Sequence, residues 1–438
     1  MRHFFRERII RIIFSNQFGG WADQIVTSAT NLLLILAVGR LGGLSELGYY
    51  ALALSVSVSL TGMQDALVTR PYTVQILDGA QDPRIRARAA LRLAVYFSLT
   101  FACIALLVAL VAHFTMESRT FPILVSFAAT LPFILLREFA RRYSFANLKA
   151  WDAFWIDSAA AAATLLTLAL FSSIGPITAV HALLATAAGA ALSIGPWILL
   201  RRLDFCKSLE GTRGELANLF GMGRWLAVGQ LAAQAQGYAL HWVTLIAGGP
   251  FTTGVYSASV SVVSLSNPFL FGYFNLLTPK YVRVYKTNSA KELVRSCLHS
   301  SIFLGAVMGV FTGVIWFGGE ILFLWMFGEI PSDNIRFILT MLAIATTASA
   351  IGGPAAIGLM VTGHAKATSA ISAAVCIFAA SSAFALMKIS GLEYAVYGLL
   401  AAECAGTLAR WCLLLYTVIW KSLTSNEQTS HAAHPRRL

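Results

Sequence analysis

Long apolar runs dominate this chain and decide what it can fold into. Runs of about 20 hydrophobic residues alternate with short polar segments along most of the 438 residues. An α-helix of about 20 apolar residues crosses the roughly 30 Å of hydrocarbon in a bilayer. Charged side chains make up only 12% of the sequence, against about 25% in soluble domains. The pattern predicts an all-α polytopic membrane protein, because hydrocarbon allows no unpaired backbone and the runs are too long for barrel strands.

The positions of Lys and Arg predict the direction of about twelve transmembrane helices. All but four of the 32 Lys and Arg residues belong to alternate gaps between the apolar runs, and the exceptions are Arg40, Arg119, Arg336 and Lys388. Cytoplasmic loops carry an excess of these residues, so both termini are predicted to be cytoplasmic. The net charge of +12 then reflects membrane orientation and not nucleic-acid binding. The predicted spans are 17–39, 46–68, 91–113, 121–140, 153–171, 177–200, 224–247, 253–275, 297–318, 338–361, 367–388 and 393–418.

The second half of the sequence repeats the first at an offset of 206 residues. GGLSELGYYALALSV at 42–56 returns as GGPFTTGVYSASVSV at 248–262. Two repeats of six helices insert with the same orientation and frame a cavity between two bundles. We therefore predict two six-helix lobes around a central cavity. The predicted parts are a cytoplasmic amphipathic N-terminus at 1–16, an N-lobe at 17–200, a cytoplasmic interlobe linker at 201–223, a C-lobe at 224–420 and a disordered cytoplasmic tail at 421–438.

Polar side chains recur at helical spacing on spans 1, 2, 7 and 8. Inside a membrane such a stripe must face protein or water and not lipid. We expect the four polar faces to meet across a hydrophilic cavity, although Ser, Thr and Gly also permit tight helix packing. The candidate substrate-binding residues on these faces are Asn31, Gln230, Gln234, His241 and Asn267.

Three carboxylates, Asp23, Asp65 and Asp157, lie toward the cytoplasmic ends of their predicted helices. Each is a candidate site for a coupling Na⁺ or H⁺, and each can equally pair with a nearby arginine, as Asp65 can with Arg70. Glu403 and Arg410 lie seven residues apart in span 12. That spacing suggests a structural pair as readily as a proton site.

Four cations lie at the cytoplasmic ends of predicted spans. They are expected to form a basic vestibule, where a diphosphate would dock by charge-assisted hydrogen bonds, or to serve only as orientation signals. These residues are Arg70, Arg137, Arg224 and Lys280. We predict no catalytic residue, no metal site and no cofactor, because no nucleophile–base pair or metal-ligand spacing emerges from the sequence.

The first predicted hairpin, residues 31–71, resembles that of bacterial O-antigen and polysaccharide flippases. In that pattern an apolar helix ends in Ala-x-x-Arg-x-x-Gly, here with Arg40, and an acidic-x-Gly-x-Tyr-Ala turn follows, here with Glu46, Gly48 and Tyr50. The segment LMVTGHAKAT at 359–368 is similar to the cytoplasmic exit of that family's tenth helix. The family is the polysaccharide transporter branch of the multidrug/oligosaccharidyl-lipid/polysaccharide exporter superfamily.

The resemblance implies a flippase that works by alternating access. Its substrate would be a polyprenyl-diphosphate-linked oligosaccharide, namely an O-antigen (lipopolysaccharide) or exopolysaccharide repeat unit, moved across the bacterial inner membrane. An ion gradient of Na⁺ or H⁺ would drive the movement. Its partners would be membrane lipids and the polysaccharide polymerase and glycosyltransferases of the same pathway, with no nucleic acid.

Two other classes of protein remain as alternatives. A cation-coupled multidrug or toxic-compound extruder shares the architecture and would want an acidic, aromatic cavity without a basic rim. A membrane polymerase or ligase of the polysaccharide pathway would need catalytic groups on a sizeable outer loop. The largest predicted outer segment, 319–336, offers few such groups. Its apolar part at 320–331 is too short to cross, and we predict an interfacial or re-entrant piece there. The sequence thus predicts a transporter and not an enzyme.

Overall fold

The computed structural model describes residues 2–77, 83–115, 119–205, 212–287, 290–332 and 334–432, and within these ranges the chain is almost wholly helical and contains no strand. The helices are α1 (Arg2–Gly42), α2 (Leu44–Gln64), α3 (Arg70–Leu77), α4 (Pro83–Thr115), α5 (Thr120–Ala146), α6 (Ala150–Ile174), α7 (Ala179–Phe205), α8 (Thr212–Val263), α9 (Asn267–Thr287), α10 (Ala290–Phe327), α11 (Ile335–Val361), α12 (Ala365–Ser390) and α13 (Leu392–Ala432). A π-helical turn, Asp65–Thr69, joins α2 to α3, and a 3₁₀ turn, Ser264–Ser266, joins α8 to α9.

Eleven stretches of the described residues are long and apolar enough to cross a membrane. One of them, Gly237–Thr287, is 51 residues long and contains a break at Gly249, where α8 changes direction. Large apolar side chains such as Trp155 and Phe317 are exposed on the helix surfaces, as expected where lipid is the solvent. The chain is a multi-pass membrane protein, and the predicted all-α, two-lobed fold class is confirmed.

The structure differs from the prediction at residues 320–331 and in the C-terminal tail. The stretch at 320–331 is not a separate interfacial or re-entrant element, because α10 continues through it to Phe327 and ends at Gly328 (φ 83°). Its Trp, Phe and Leu side chains let the helix extend past the predicted span. The predicted tail is helical in α13 as far as Ala432, and residues 433–438 lie outside the described residues, as do 206–211 of the predicted linker.

The described chain divides into two compact units, Met1–His241 and Trp242–Leu438, called unit 1 and unit 2 below. Unit 1 holds α1 to α7 and the first part of α8, and α1 packs mainly on α6. Unit 2 holds the rest of α8 and α9 to α13, with α11 packed on both α10 and α13. The first part of α8 therefore packs with the N-terminal helices.

One glycine lies between the first and second helical spans of each repeat, and the two glycines have the same unusual backbone conformation. Gly43 has φ 88° and ψ 166°, and Gly249 has φ 81° and ψ −177°. This region of φ/ψ space is essentially restricted to glycine. The two positions are equivalent at the offset of 206, and Tyr50 and Tyr256, which are also equivalent, are both buried. The shared backbone supports the internal duplication inferred from the sequence.

The C-terminal end of α2, the π-helical turn that follows it and the first part of α8 make close contact within unit 1. A Cβ at Gly223 of α8 would collide with the backbone carbonyl of Leu67 in the π-helical turn. A Cβ at Gly62 would lie 2.7 Å from the Gln234 amide nitrogen. The two glycines therefore let the first part of α8 approach α2 closely, which brings Gln230 and Gln234 beside Gly62.

Candidate functional site

Charged side chains from four segments of unit 1 converge into one group, which we call the ionic cluster. They come from α1, the π-helical turn with the first residue of α3, α5 and α6. With all groups ionised, four acidic and four basic side chains balance. The members are Asp23, Asp65, Arg70, Arg137, Glu138, Arg141, Arg142 and Asp157.

Half of the ionic cluster comes from the last turns of α5, where the sequence reads REFARR. Residues three and four apart are neighbours on a helix surface. Glu138 accordingly accepts a hydrogen bond from Arg142 Nε at 2.7 Å and pairs with Arg141 Nη1 at 3.3 Å. The Glu138 side chain is 14% exposed. This local spacing places Arg141 toward α1 and α6 and Arg142 toward the π-helical turn, where its Nε lies 3.9 Å from Asp65 Oδ1.

Arg141 joins two carboxylates that are both withdrawn from solvent. Its Nη2 donates to Asp23 Oδ2 at 2.7 Å, and its Nε lies 2.9 Å from Asp157 Oδ2. Asp23 is 0% and Asp157 3% exposed. A buried charge is tolerated when it is paired and hydrogen-bonded, so Arg141 is the group that allows both aspartates to ionise there.

The two aspartates nevertheless retain unused hydrogen-bonding capacity. Thr27 Oγ1 donates to Asp157 Oδ2 at 2.9 Å, while Arg137 Nε is 3.6 Å from Asp157 Oδ1. That distance is too long for a hydrogen bond. The other oxygen of each, Asp23 Oδ1 and Asp157 Oδ1, is buried without any hydrogen-bond partner among the described residues. A proton or a small cation would satisfy these oxygens.

The predicted pairing of Asp65 with Arg70 is present in the structure. Arg70 Nε lies 3.0 Å from Asp65 Oδ2, and Arg70 Nη2 donates to Gln230 Oε1 at 3.0 Å. The Arg70 side chain is 49% exposed. The structure thus brings two predicted binding residues, Arg70 and Gln230, to one place together with Asp65.

The remaining polar candidates on α1 and α8 are not members of the ionic cluster. Gln234 lies against Gly62 of α2. His241 is 8% exposed, and its ring centre is 5.5 Å from that of Tyr238. Asn31 is exposed on α1.

The last two predicted cations are exposed. Arg224 on α8 lies over the ring of its neighbour Trp225, at 5.6 Å. Lys280 lies on α9 in unit 2. The expectation that these two form one basic vestibule with Arg70 and Arg137 stays a prediction.

A second polar site lies within unit 2, and we call it the Glu403 pocket. It is a cavity of about 220 Å³, and every residue lining it is buried or half-buried. The predicted binding residue Asn267 is one of them. The lining residues are Tyr256, Val260, Val263, Ser264, Asn267, Leu342, Ala345, Thr346, Ser349, Leu399 and Glu403.

Glu403 and Arg410 do not form a close ion pair among the described residues. Arg410 Nη2 instead donates to Ser372 Oγ at 3.3 Å, and its charge acts on Glu403 only from a longer distance. Ser349 and Glu403 both line the pocket. Glu403 Oε2 is buried and has no hydrogen-bond partner.

From the sequence, Arg141 and Arg142 were counted only among the basic residues of the predicted cytoplasmic side, and Glu138 was not considered. The i, i+3 and i+4 spacing of Glu138 before the two arginines was the available signal. Nothing in the sequence pointed to Tyr256 or Ser349 as neighbours of Glu403, because they lie on different helices.

Comparison with known proteins gives a likeness of fold only. No family model matches the chain, and no curated protein sequence matches it. A multidrug resistance MATE family transporter of the MOP superfamily, in its inward-facing conformation, is similar with a TM-score of 0.74 and 14% identity, over 92% of this chain and 96% of that one. The outward-facing conformation of such a transporter gives 0.64 and 14%, over 94% and 95%.

A MOP superfamily transporter from Pyrococcus furiosus, described as having a binding pocket of reverse polarity, gives a TM-score of 0.61 at 14% identity, over 93% of this chain and 95% of that one. All three likenesses extend over nearly the whole of both chains. The chain therefore has the fold of the MATE transporters.

Proposed function

We propose that this chain is a secondary exporter of the MOP superfamily that works by alternating access, with an amphipathic organic cation as its cargo. The fold supports the transport class, since the likeness to MATE transporters covers both chains almost completely. Under this proposal the predicted multidrug extruder takes precedence over the predicted polysaccharide flippase.

The observation that carries the choice of cargo is the pairing of the arginines in unit 1. A diphosphate needs guanidinium groups with free hydrogen-bond donors. Arg141 is committed to Asp23 and Asp157, and Arg142 to Glu138, whereas Arg137 Nε is a buried donor without a hydrogen bond. With all groups ionised, the four acidic and four basic side chains of the ionic cluster balance, which disfavours a site for a diphosphate.

The buried carboxylates of unit 1 support coupling to a cation gradient. Asp23 and Asp157 share Arg141 and each keeps one oxygen without a hydrogen bond. Binding a proton or Na⁺ at this place would satisfy that oxygen and change the charge balance of the cluster. Membrane-embedded ionisable groups commonly form such relays in pumps and transporters. Asp65, which pairs with Arg70 nearer the surface, is the third candidate.

The test is efflux of ethidium by the whole protein, expressed in a bacterial host whose own drug exporters are deleted. We expect energised cells to expel ethidium, and collapse of the ion gradients to stop the efflux. Asp157→Asn should lower the efflux rate at least about tenfold, because it removes a charge that the cycle uses. Glu329→Gln changes an exposed carboxylate and should leave the rate unchanged.

The second candidate function is the flippase for polyprenyl-diphosphate-linked oligosaccharides. The half-exposed Arg70 and the exposed Arg224 favour it, together with the likeness of the first hairpin to the polysaccharide family. Deleting the gene in its native bacterium separates the two. Loss of surface glycan, with the lipid-linked unit trapped on the cytoplasmic leaflet and ethidium efflux unchanged, would overturn the extruder and support the flippase.

A further inference from the structure

We propose that the Glu403 pocket of unit 2 binds a small organic cation whose ammonium group pairs with the Glu403 carboxylate. The class of ligand rests on the proposed function. The position of the binding site and the size of the ligand rest on the pocket itself. The proposal assigns the pocket to the cargo, whereas coupling is assigned to the ionic cluster of unit 1.

The charge of the pocket selects a cation. Glu403 is the one ionisable carboxylate among the eleven lining residues, and none of the eleven is basic. Its Oε2 is buried without a hydrogen-bond partner, and a buried charge of this kind is costly until it is paired. Arg410 makes no ion pair with Glu403 within 4 Å among the described residues, and its Nη2 donates to Ser372.

The size of the pocket selects a small ligand. The pocket has a volume of about 220 Å³. Pockets for drug-sized molecules span about 300–1,000 Å³. A single dehydrated metal ion would leave most of this space to water. An ammonium ion with several short alkyl groups fills it better.

The lining suits such a ligand on its remaining sides. Val260, Leu342 and Leu399 contribute aliphatic surface, which favours alkyl groups over sugar hydroxyls. Tyr256 contributes an aromatic ring, and aromatic rings attract ammonium ions through the quadrupole of their π face. The Asn267 amide, which makes no hydrogen bond with the described residues, adds a polar group beside the carboxylate.

Binding of radiolabelled tetraethylammonium to the purified full-length protein in detergent tests the proposal without any gradient. We expect saturable binding by the wild type. Glu403→Gln should weaken it at least about tenfold, since removing one partner of a desolvated charge pair costs more than the 1.4 kcal/mol that tenfold represents. Glu329→Gln should bind like the wild type.

A second variant covers the case in which Glu403→Gln does not fold. Val260→Phe keeps all charges, fills part of the cavity from a half-buried position, and should also lower the affinity. Absence of binding by the wild type, or equal binding by Glu403→Gln, would overturn the proposal. Glu403-dependent binding of ²²Na⁺ without tetraethylammonium binding would overturn it as well, in favour of an inorganic ion.

The outcomes separate this inference from the proposed function. A protein that binds tetraethylammonium at Glu403 but expels no ethidium would support the pocket and contradict the exporter. Ethidium efflux that is unaffected by Glu403→Gln, with no tetraethylammonium binding, would support the exporter and contradict the pocket.

Discussion

At the scale of single residues, Arg141 pairs with carboxylates on three helices of unit 1. It contacts Asp23 on α1, Asp157 on α6 and Glu138 on its own helix, and its guanidinium lies 5.5 Å from the ring of Phe145. The side chain is only 12% exposed. Because both aspartates are buried, their charges depend mainly on this arginine, and Arg137 lies near Asp157 alone, at 3.6 Å.

Replacing Arg141 should therefore destabilise the protein strongly. Arg141→Met keeps most of the packing of the stem but leaves two buried carboxylates without their shared cation. Removing one partner of a buried ion pair costs about 3–5 kcal/mol. We expect a correspondingly large drop in the thermal unfolding midpoint of the purified protein in detergent.

Arg142→Met is the matched control for that change. Arg142 lies on the next position of the same helix, and its side chain is 44% exposed. Exposed ion pairs contribute about 0–1 kcal/mol, and Glu138 would keep Arg141 Nη1 at 3.3 Å, so the midpoint should fall much less than with Arg141→Met. Adding Asp23→Asn to Arg141→Met should restore part of the lost stability, because it removes one of the uncompensated charges. Equal midpoints for the two single variants would contradict the role given to Arg141.

The contacts of Arg141 mark the limit of what the sequence alone could predict about the candidate site. Asp23, Asp65 and Asp157 were recognisable because a carboxylate inside an apolar run is rare. Their partners were not, since Arg141 lies 118 residues from Asp23 and only the packing of α1, α5 and α6 joins them. The pairing of Arg70 with Asp65 is local, five residues apart, and was predicted as an alternative.

At the scale of helices, two glycines turn the chain between the first and second span of each repeat. Gly43 and Gly249 both have a positive φ with an extended ψ. At neither position would a Cβ meet any atom within 4 Å. The requirement for glycine is therefore one of backbone conformation and not of space.

Alanine at either position should destabilise the chain through backbone strain alone. A residue held in this region costs about 1–3 kcal/mol, so Gly43→Ala and Gly249→Ala should lower the unfolding midpoint by similar amounts. Gly272→Ala is the control, because Gly272 lies in α9 with open space around a Cβ. Alanine favours a helix by up to about 1 kcal/mol over glycine, so that variant should be neutral or more stable. Midpoints for Gly43→Ala and Gly249→Ala as high as that of Gly272→Ala would rule out the strain.

The same scale shows why the helices were predictable in number and class but less so at their ends. Hydropathy locates the centre of each span, since burial in hydrocarbon is what the apolar residues share. It does not locate the ends, because helices continue beyond the membrane. α10 runs on to Phe327, and α4 begins at Pro83, before its predicted span at 91. The π-helical turn at Asp65–Thr69 had no sequence signal.

At the scale of the whole molecule, the uneven distribution of Lys and Arg predicts the orientation in the membrane. Only Arg40, Arg119, Arg336 and Lys388 fall on the predicted outer side. One of these four, Arg336, forms an ion pair with Glu320 at 2.7 Å. The positive-inside rule therefore predicts cytoplasmic termini.

Reporter fusions test the predicted orientation. Green fluorescent protein fused after Leu438 should fluoresce, and alkaline phosphatase at the same position should be inactive, because the C-terminus is expected in the cytoplasm. Alkaline phosphatase inserted after Arg119, between α4 and α5, should be active. The reverse pattern at both positions would invert the whole topology and move the ionic cluster to the opposite side of the membrane.

The balance of the ionic cluster has an electrical consequence. Moving one elementary charge through a membrane potential of 100 mV changes the free energy by about 2.3 kcal/mol. A group of four carboxylates and four guanidinium ions carries no net charge, so its displacement with unit 1 does no work against the voltage. One bound proton or Na⁺ makes the same group monovalent. The membrane voltage would then act on the loaded cluster and ignore the empty one, so that occupancy by a single ion decides whether the field drives the step.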